Sequence, residues 1–263
     1  MRRGMRIVPI AIVGLIVLFQ YFRSEKFENP ETHRKSRMAL STKDEAALGL
    51  QSYREVLSQS EVINSGSELE QVVRVAKRLA AATKEPFEWG VSLVRSEQAN
   101  AFCLPGGKIV VYMGILPLTK TDGGLAAVMG HEMAHATSRH GSERLLKDSI
   151  AQTALAGASL SFGDMEPRKR YAIMAALGAG AQFGILLPFS RNHESEADAI
   201  GLMYMARAGY DPRESIEFWQ RMSEQSKGGP PEFMSTHPSH GTRIQRLQDE
   251  MPKAMEEYQK AKK

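Results

Sequence analysis

The sequence predicts an α+β domain, mostly helical, with a small β-sheet or hairpin placed just before one buried helix. Three observations predict it. Apolar residues recur at helical spacing through most of the chain, from Ala46 to Leu247. Between Trp89 and Tyr112 the pattern changes to short apolar runs broken by Pro105-Gly106-Gly107, which reads as strand, turn, strand. The stretch Leu125 to Ala134 is apolar nearly all round yet carries His131 and Glu132, with His135 next to it. A helix apolar on every side is buried, and buried polar groups are costly without partners.

Length and composition set the frame. With 263 residues, 42% of them hydrophobic and 24% charged, the chain can bury a core of ordinary size and carry a tail. The net charge of +4 comes without any Lys/Arg run interleaved with aromatics, so no nucleic-acid partner is expected. The single cysteine, Cys103, excludes an internal disulfide and any cysteine-based zinc site. Metal ligands, if present, must be histidines and carboxylates. Cys103 itself reads as core packing, with redox control as the alternative.

The elements follow in order. Arg2, Arg3 and Arg6 precede an apolar run from Ile7 to Phe22; as a helix it spans about 24 Å, somewhat short of a bilayer's hydrocarbon core. Residues 1–23 are read as an uncleaved membrane anchor, with a signal sequence as the competing reading. The basic N-terminus leans cytoplasmic, which places the following domain periplasmic or extracytoplasmic. Residues 24–40 are polar and read as a linker. The main domain runs over 41–251 and opens with a helix after Ser41, apolar at Ala46, Ala47, Leu50, Tyr53 and Leu57. A second helix carries Leu69, Val72, Val73, Ala76, Leu79 and Ala80 and stops before Pro86. The hairpin follows, then a turn in which Asp122 reads as the N-cap of the His131 helix. From Ile150 to Leu187 the chain is rich in Ala, Gly, Leu and Met; Tyr171 to Leu187 reads as a soluble or membrane-apposed helix, with a second span as the alternative. A helix from Arg191 ends at Gly209 as its C′ residue, another starts at Pro212, and Lys227 to Pro231 is a loop. A last helix carries Arg243, Ile244 and Leu247; residues 252–263 read as a solvated, Lys-rich tail.

The chemistry is concentrated in Gly130-His131-Glu132-Met133-Ala134-His135. On a helix His131 and His135, four apart, project from one face and can grip one Zn²⁺. Glu132, beside the first ligand, is placed to hold the attacking water, the general-base position of a zinc protease. Catalytic zinc takes three protein ligands. The metzincin spacing fails, because Ser138 and Gly141 stand where Gly and His are required and His140 is off by one. A downstream helix offers Glu194, Glu196 and Asp198, with His193 as a rival. Glu194 and Asp198 share a face, so one could bind metal while the other accepts a hydrogen bond from a ligating histidine. The strand at Asn100, Ala101 and Phe102 could bind extended peptide by main-chain pairing.

Taken together, Asn100-Ala101-Phe102 with Leu104-Pro105-Gly106-Gly107, the His131-Glu132-x-x-His135 motif, Ser190-Arg191-x-x-Glu194-x-Glu196-Ala197-Asp198 and His237-Pro238 with Arg243 resemble the HtpX/Oma-like zinc metallopeptidases. The resemblance covers roughly Leu48 to Leu247 and is closest to the short bacterial envelope type with one anchor. It implies a zincin-like domain holding one Zn²⁺ through His131, His135 and Glu194, with Asp198 behind the ligands and Glu132 as base. It also implies that His237 lies near the metal, donating to the oxyanion or regulating access. The expected activity is zinc-dependent endopeptidase turnover of unfolded or misfolded proteins in membrane or envelope quality control. The alternative is a zinc-stabilised chaperone or assembly factor with little turnover, against which the intact Glu132 counts.

Overall fold

The computed structural model describes residues 7–163, 165–181, 187–225, 233, 237 and 242–262. The expected loop at 227–231 lies outside them. The chain divides into two compact units, 1–41 with 140–192 and 42–139 with 193–263.

The first unit contains α1 (Ile7–Arg23), β1 (Glu25–Glu28), β2 (Lys35–Met38), α6 (His140–Ser161) and α7 (Pro167–Ala181). The stretch 24–40, expected as a linker, carries an antiparallel hairpin in which Glu25 faces Met38 and Glu28 faces Lys35. Its turn is organised by Asn29, whose side chain accepts from the Glu31 and Thr32 amides. That local hydrogen bonding leaves no trace in hydropathy. Helices α1 and α6 run antiparallel: Gln20 meets Thr153 at one level, and Val13 covers Gly157 at another, where a side chain larger than hydrogen would collide. Among the described residues no helix is long and apolar enough to cross a membrane.

The second unit contains α2 (Thr42–Ser58), β3 (Val62–Ile63), α3 (Ser67–Thr83), β4 (Gly90–Val94), β5 (Ala101–Leu104), β6 (Lys108–Tyr112), α4 (Leu116–Thr119), α5 (Asp122–Thr137), α9 (Arg213–Gln225) and α10 (Arg243–Ala261). It also holds all but the first residues of α8 (Leu187–Arg207). The mostly helical α+β expectation holds. The sheet order is β3-β4-β6-β5, antiparallel except for β4 with β6. Gly106 and Gly107 make the β5–β6 turn at φ +79° and +85°, conformations that side chains resist. The core gathers Val72, Val75 and Leu79 of α3, Leu93 and Val111 of the sheet, Leu125, Met129 and Met133 of α5, and Tyr204 and Phe218 beyond.

Helix α5 is buried along nearly its whole length, as its unbroken apolarity predicts. Its N-cap is Thr121, not Asp122: the Thr121 hydroxyl accepts from the Gly124 amide at 2.9 Å. Asp122 instead occupies the first helical turn, where the helix dipole favours an acid, and receives Arg74 through both carboxylate oxygens at 2.9 Å. Helix α8 approaches α5 at glycines. A Cβ on Gly201 would lie 2.8 Å from the His131 main-chain nitrogen, and one on Gly130 would lie 3.0 Å from the Gly201 carbonyl. Helix α10 continues past Pro252 to Ala261, so the stretch expected as a solvated tail is helical. Leu247, Ala254 and Tyr258 are buried along it; their spacing of seven and four is helical, but Lys and Glu dominate the composition between them.

Two outcomes follow. Gly201→Ala is expected to cost about 1–3 kcal/mol through forced separation of α5 and α8, read as a lower denaturant midpoint. Asp122→Asn is expected to cost about 0.5–1 kcal/mol at neutral pH, the scale of a surface pair at a helix end. The hydrogen bond from Arg74 holds the Asp122 carboxyl below its ordinary value against the opposing effect of burial. Its contribution is therefore complete above the usual carboxylate range and is lost as pH falls through the depressed value. Wild type and variant should converge in thermal melts at acid pH.

Candidate metal centre

Helix α5 presents His131 and His135 one turn apart, with their Nε2 atoms 3.1 Å from each other. Helix α8 delivers Glu194 across the glycine contact. Its Oε2 lies 3.3 Å from His131 Nε2 and its Oε1 3.3 Å from His135 Nε2. His237 completes the group, with Nδ1 3.2 Å from His131 Nε2 and 3.1 Å from Glu194 Oε1. These are the four residues whose ligand atoms all fall within 4.8 Å of one another. Donors arranged tetrahedrally around Zn²⁺ at about 2.0–2.1 Å are separated by about 3.3 Å, so the spacing suits one zinc ion.

Behind the donors sits a second layer of charge. Asp198, one turn along α8 from Glu194, places Oδ1 2.9 Å from His131 Nδ1. A carboxylate there fixes Nδ1 as the protonated nitrogen and leaves the Nε2 lone pair for a metal. Arg243, from the start of α10, is buried and donates through Nε to Asp198 and through Nη2 to Glu194, both at 2.7 Å. Its guanidinium lies over the Trp219 ring, 3.8 Å from the centroid. Phe233 stacks on His237, with centroids 4.8 Å apart.

The electrostatics bear on the metal. Glu132, Glu194 and Asp198 are three buried carboxylates against one buried guanidinium. With neutral imidazoles two negative charges stand in excess, which is the charge of one divalent ion. Burial pulls the His131 imidazole down, but Asp198 and Glu194 outweigh burial and hold it up at about 9. Burial would raise the Glu194 carboxyl, yet hydrogen bonds from His131, His135 and His237 drive it far below the carboxylate range. The Glu132 carboxyl is pushed up by burial, with His237 and His131 opposing. The site is thus built to concentrate positive charge, and once a metal takes the place of the His131 proton its imidazole nitrogens and carboxylate oxygens are the donors zinc prefers.

The residues singled out in the sequence divide as follows. His131, His135, Glu194 and His237 come together, with Glu132 and Asp198 beside them. His237 Nε2 lies 3.3 Å from Glu132 Oε1. His140 begins α6, and His193 and Glu196 are not among the clustered donors. Asn100, Ala101 and Phe102 are not among the clustered donors; Ala101 and Phe102 open β5, with Asn100 just before it, and β5 forms the edge of the sheet beside α5. The Asn100 side chain accepts from the Ala101 amide at 2.9 Å, and the Cys103 amide donates to Glu132. Burial raises the Cys103 thiol, with the Glu132 charge adding to it. Sequence reasoning missed what Arg243 does. The available signal was an arginine at the start of a helix otherwise read only for its apolar face.

The sequence profile of Peptidase family M48 matches residues 65–251. The chain belongs to this family. The mitochondrial metalloendopeptidase OMA1 of Schizosaccharomyces pombe is 40% identical over 188 residues, which are 70% of this chain and 53% of that protein. The protein of the same name in Saccharomyces cerevisiae is 34% identical over 277 residues, 95% of this chain and 75% of the relative. The Beta-barrel assembly-enhancing protease of Yersinia pestis is 29% identical over 223 residues, 82% of this chain and 45% of the relative. The chain therefore spans about half the length of the first and third of these. Membership makes it a metallopeptidase by class, and zinc is the metal its donors fit.

Asp198→Asn is expected to weaken zinc binding about 10–100-fold while leaving the fold intact. Competition with a chromophoric chelator reads the affinity and circular dichroism the fold; unchanged affinity would remove Asp198 from the site.

Proposed function

We propose that the chain is a zinc-dependent endopeptidase that cleaves unfolded or misfolded proteins at a membrane. The carrying observation is the convergence of His131, His135 and Glu194 on one point with Glu132 alongside. These three side chains would hold the zinc, one ion per chain. When bound, zinc polarises the scissile carbonyl and acidifies water. Glu132 takes the proton of the attacking water and delivers it to the leaving amine. Asp198 keeps His131 in the tautomer that presents Nε2, and Arg243 holds Glu194 and Asp198 in place.

His237 stands among the donors and beside Glu132, so in this conformation it closes the centre; its withdrawal would admit water and substrate, and its imidazole could then serve the oxyanion. Strand β5 supports the substrate reading. Its free edge lies beside α5 and would pair with an extended peptide from Asn100 to Phe102, replacing the contact that Asn100 makes with the Ala101 amide. Only chain that has lost its own secondary structure can pair in this way, which selects unfolded protein over folded.

Membrane attachment through the N-terminal segment is part of the same proposal, with the catalytic unit on the extracytoplasmic side. Large apolar side chains are exposed along α1, among them Leu15, Phe19 and Phe22, and water is a poor solvent for such a surface. Two of the relatives carry names that place them in mitochondria, and a third is named for β-barrel assembly.

Glu132→Gln tests the reading. Casein cleavage should fall about 10²–10⁴-fold while bound zinc stays at one per chain. Equal cleavage by wild type and variant would end the assignment of Glu132. Absence of cleavage from both, with protection of an aggregating client, would favour a chaperone.

A further inference from the structure

Within the unit formed by 1–41 and 140–192, a cavity of about 790 Å³ opens among the end of α1, the β1–β2 hairpin and the first half of α6. Five cations line it: Lys26, Arg34, Lys35, Arg37 and Lys147. Two carboxylates, Glu28 and Glu143, oppose them. Three positive charges are left in excess.

The cations are held in different ways. Arg37 lies over the Tyr21 ring, 4.3 Å from its centroid, and donates to the carbonyls of Tyr21 at 2.8 Å and Ser24 at 3.3 Å. It thereby caps the C-terminus of α1 and is fixed before any ligand arrives. Arg34 and Lys147 both pair with the buried Glu143, Arg34 at 2.8 Å. Lys26 and Lys35 stand exposed at the rim, where the Lys35 side chain is 82% accessible. The Ser36 hydroxyl lines the same cavity, is buried, and has no hydrogen-bond partner. Cations, an unused hydroxyl and this volume suit a phosphate group with its ester substituents.

The surroundings say which phosphate. From the cavity's edge an apolar surface runs back along α1, with Leu15, Phe19 and Phe22 at 69%, 62% and 71% exposure. Leu160 of α6 and Tyr171 of α7 are exposed as well. A soluble phosphate ester would leave that surface in water. A phospholipid covers both parts, its headgroup in the basic cavity and its acyl chains along the helix.

We propose that this cavity binds the headgroup of an anionic phospholipid. The inference rests on the membrane attachment proposed above, so the test must separate the two. The full chain is floated with vesicles of phosphatidylcholine alone and of phosphatidylcholine mixed with phosphatidylglycerol. Wild type should bind both and prefer the mixed vesicles. Lys26→Gln with Lys35→Gln should lose about tenfold or more of that preference, the scale of two lysines at an anionic surface, with binding to phosphatidylcholine unchanged. Lys77→Gln with Lys253→Gln removes the same charge from exposed positions in the other unit and should keep the preference. Equal loss in both double variants would reduce the effect to diffuse charge and overturn the site. So would a wild type without preference, or loss of the preference in chloride as complete as in inorganic phosphate of equal ionic strength. Failure to bind any vesicle would overturn membrane attachment and the headgroup site together.

Discussion

The second unit is organised by one electrostatic constraint: three carboxylates buried within reach of three imidazoles and one guanidinium. Buried charge is tolerated only when paired, and the pairing here is dense. Glu194 is the hub, touched by His131, His135, His237 and Arg243. For that pairing to exist, α8 must run within glycine contact of α5, and this is why a side chain at Gly201 would collide with the α5 backbone and one at Gly130 would crowd the Gly201 carbonyl. The apolar residues on the other faces of α5 then serve to hold a polar group in place. A divalent ion brings the charge to balance, and the protein gains folding stability from the metal to the extent that only the folded chain assembles the donors.

Much of this was legible in the residues. His131 and His135 share a face by helical arithmetic alone, and Glu194 and Asp198 do so by the same rule. The Pro105-Gly106-Gly107 turn announced the hairpin because positive φ favours glycine. The features that escaped share a different physical basis. The β1–β2 hairpin depends on Asn29 bonding to nearby amides, which hydropathy does not register. The helical end of the chain depends on Ala254 and Tyr258 burying themselves between charged neighbours. Arg243 depends on long-range placement: nothing local to α10 distinguishes an arginine that bridges two buried acids from one on the surface. Choosing among Glu194, Glu196 and Asp198 likewise needed either the resemblance or the structure, since phasing alone left Glu194 and Asp198 equivalent.

The two units differ in what they do with apolar residues. In the second, Leu125, Met129, Met133 and Phe218 are fully buried, and the exposed surface is polar at the positions that surround α3 and α10. In the first, α1 leaves large aliphatic and aromatic side chains in the open even after packing against α6. Sequence hydropathy could not distinguish a helix whose apolar side chains are buried from one whose apolar side chains stand exposed. The structure separates α5 from α1 on this point, and the basic cavity at the end of α1 gives the exposed surface a polar neighbour.

The contacts around Glu132 form a closed circuit. The Cys103 amide of β5 donates to Glu132, and Glu132 lies 3.3 Å from His237. The His237 amide donates to the Phe233 carbonyl at 2.9 Å, and the Phe233 amide donates to the Ala99 carbonyl at 3.1 Å, immediately before β5. Strand β5, Glu132 and His237 are therefore joined in one ring of contacts. A peptide that pairs with the β5 edge would compete first for main-chain groups near Ala99 and Ala101, and the Phe233 amide bond to the Ala99 carbonyl is the member of the ring nearest that edge. Its loss would loosen Phe233, on which His237 stacks. Proposed edge pairing and proposed withdrawal of His237 are then two parts of one event, and a centre closed by its own histidine is compatible with turnover because the substrate competes with the contact that closes it.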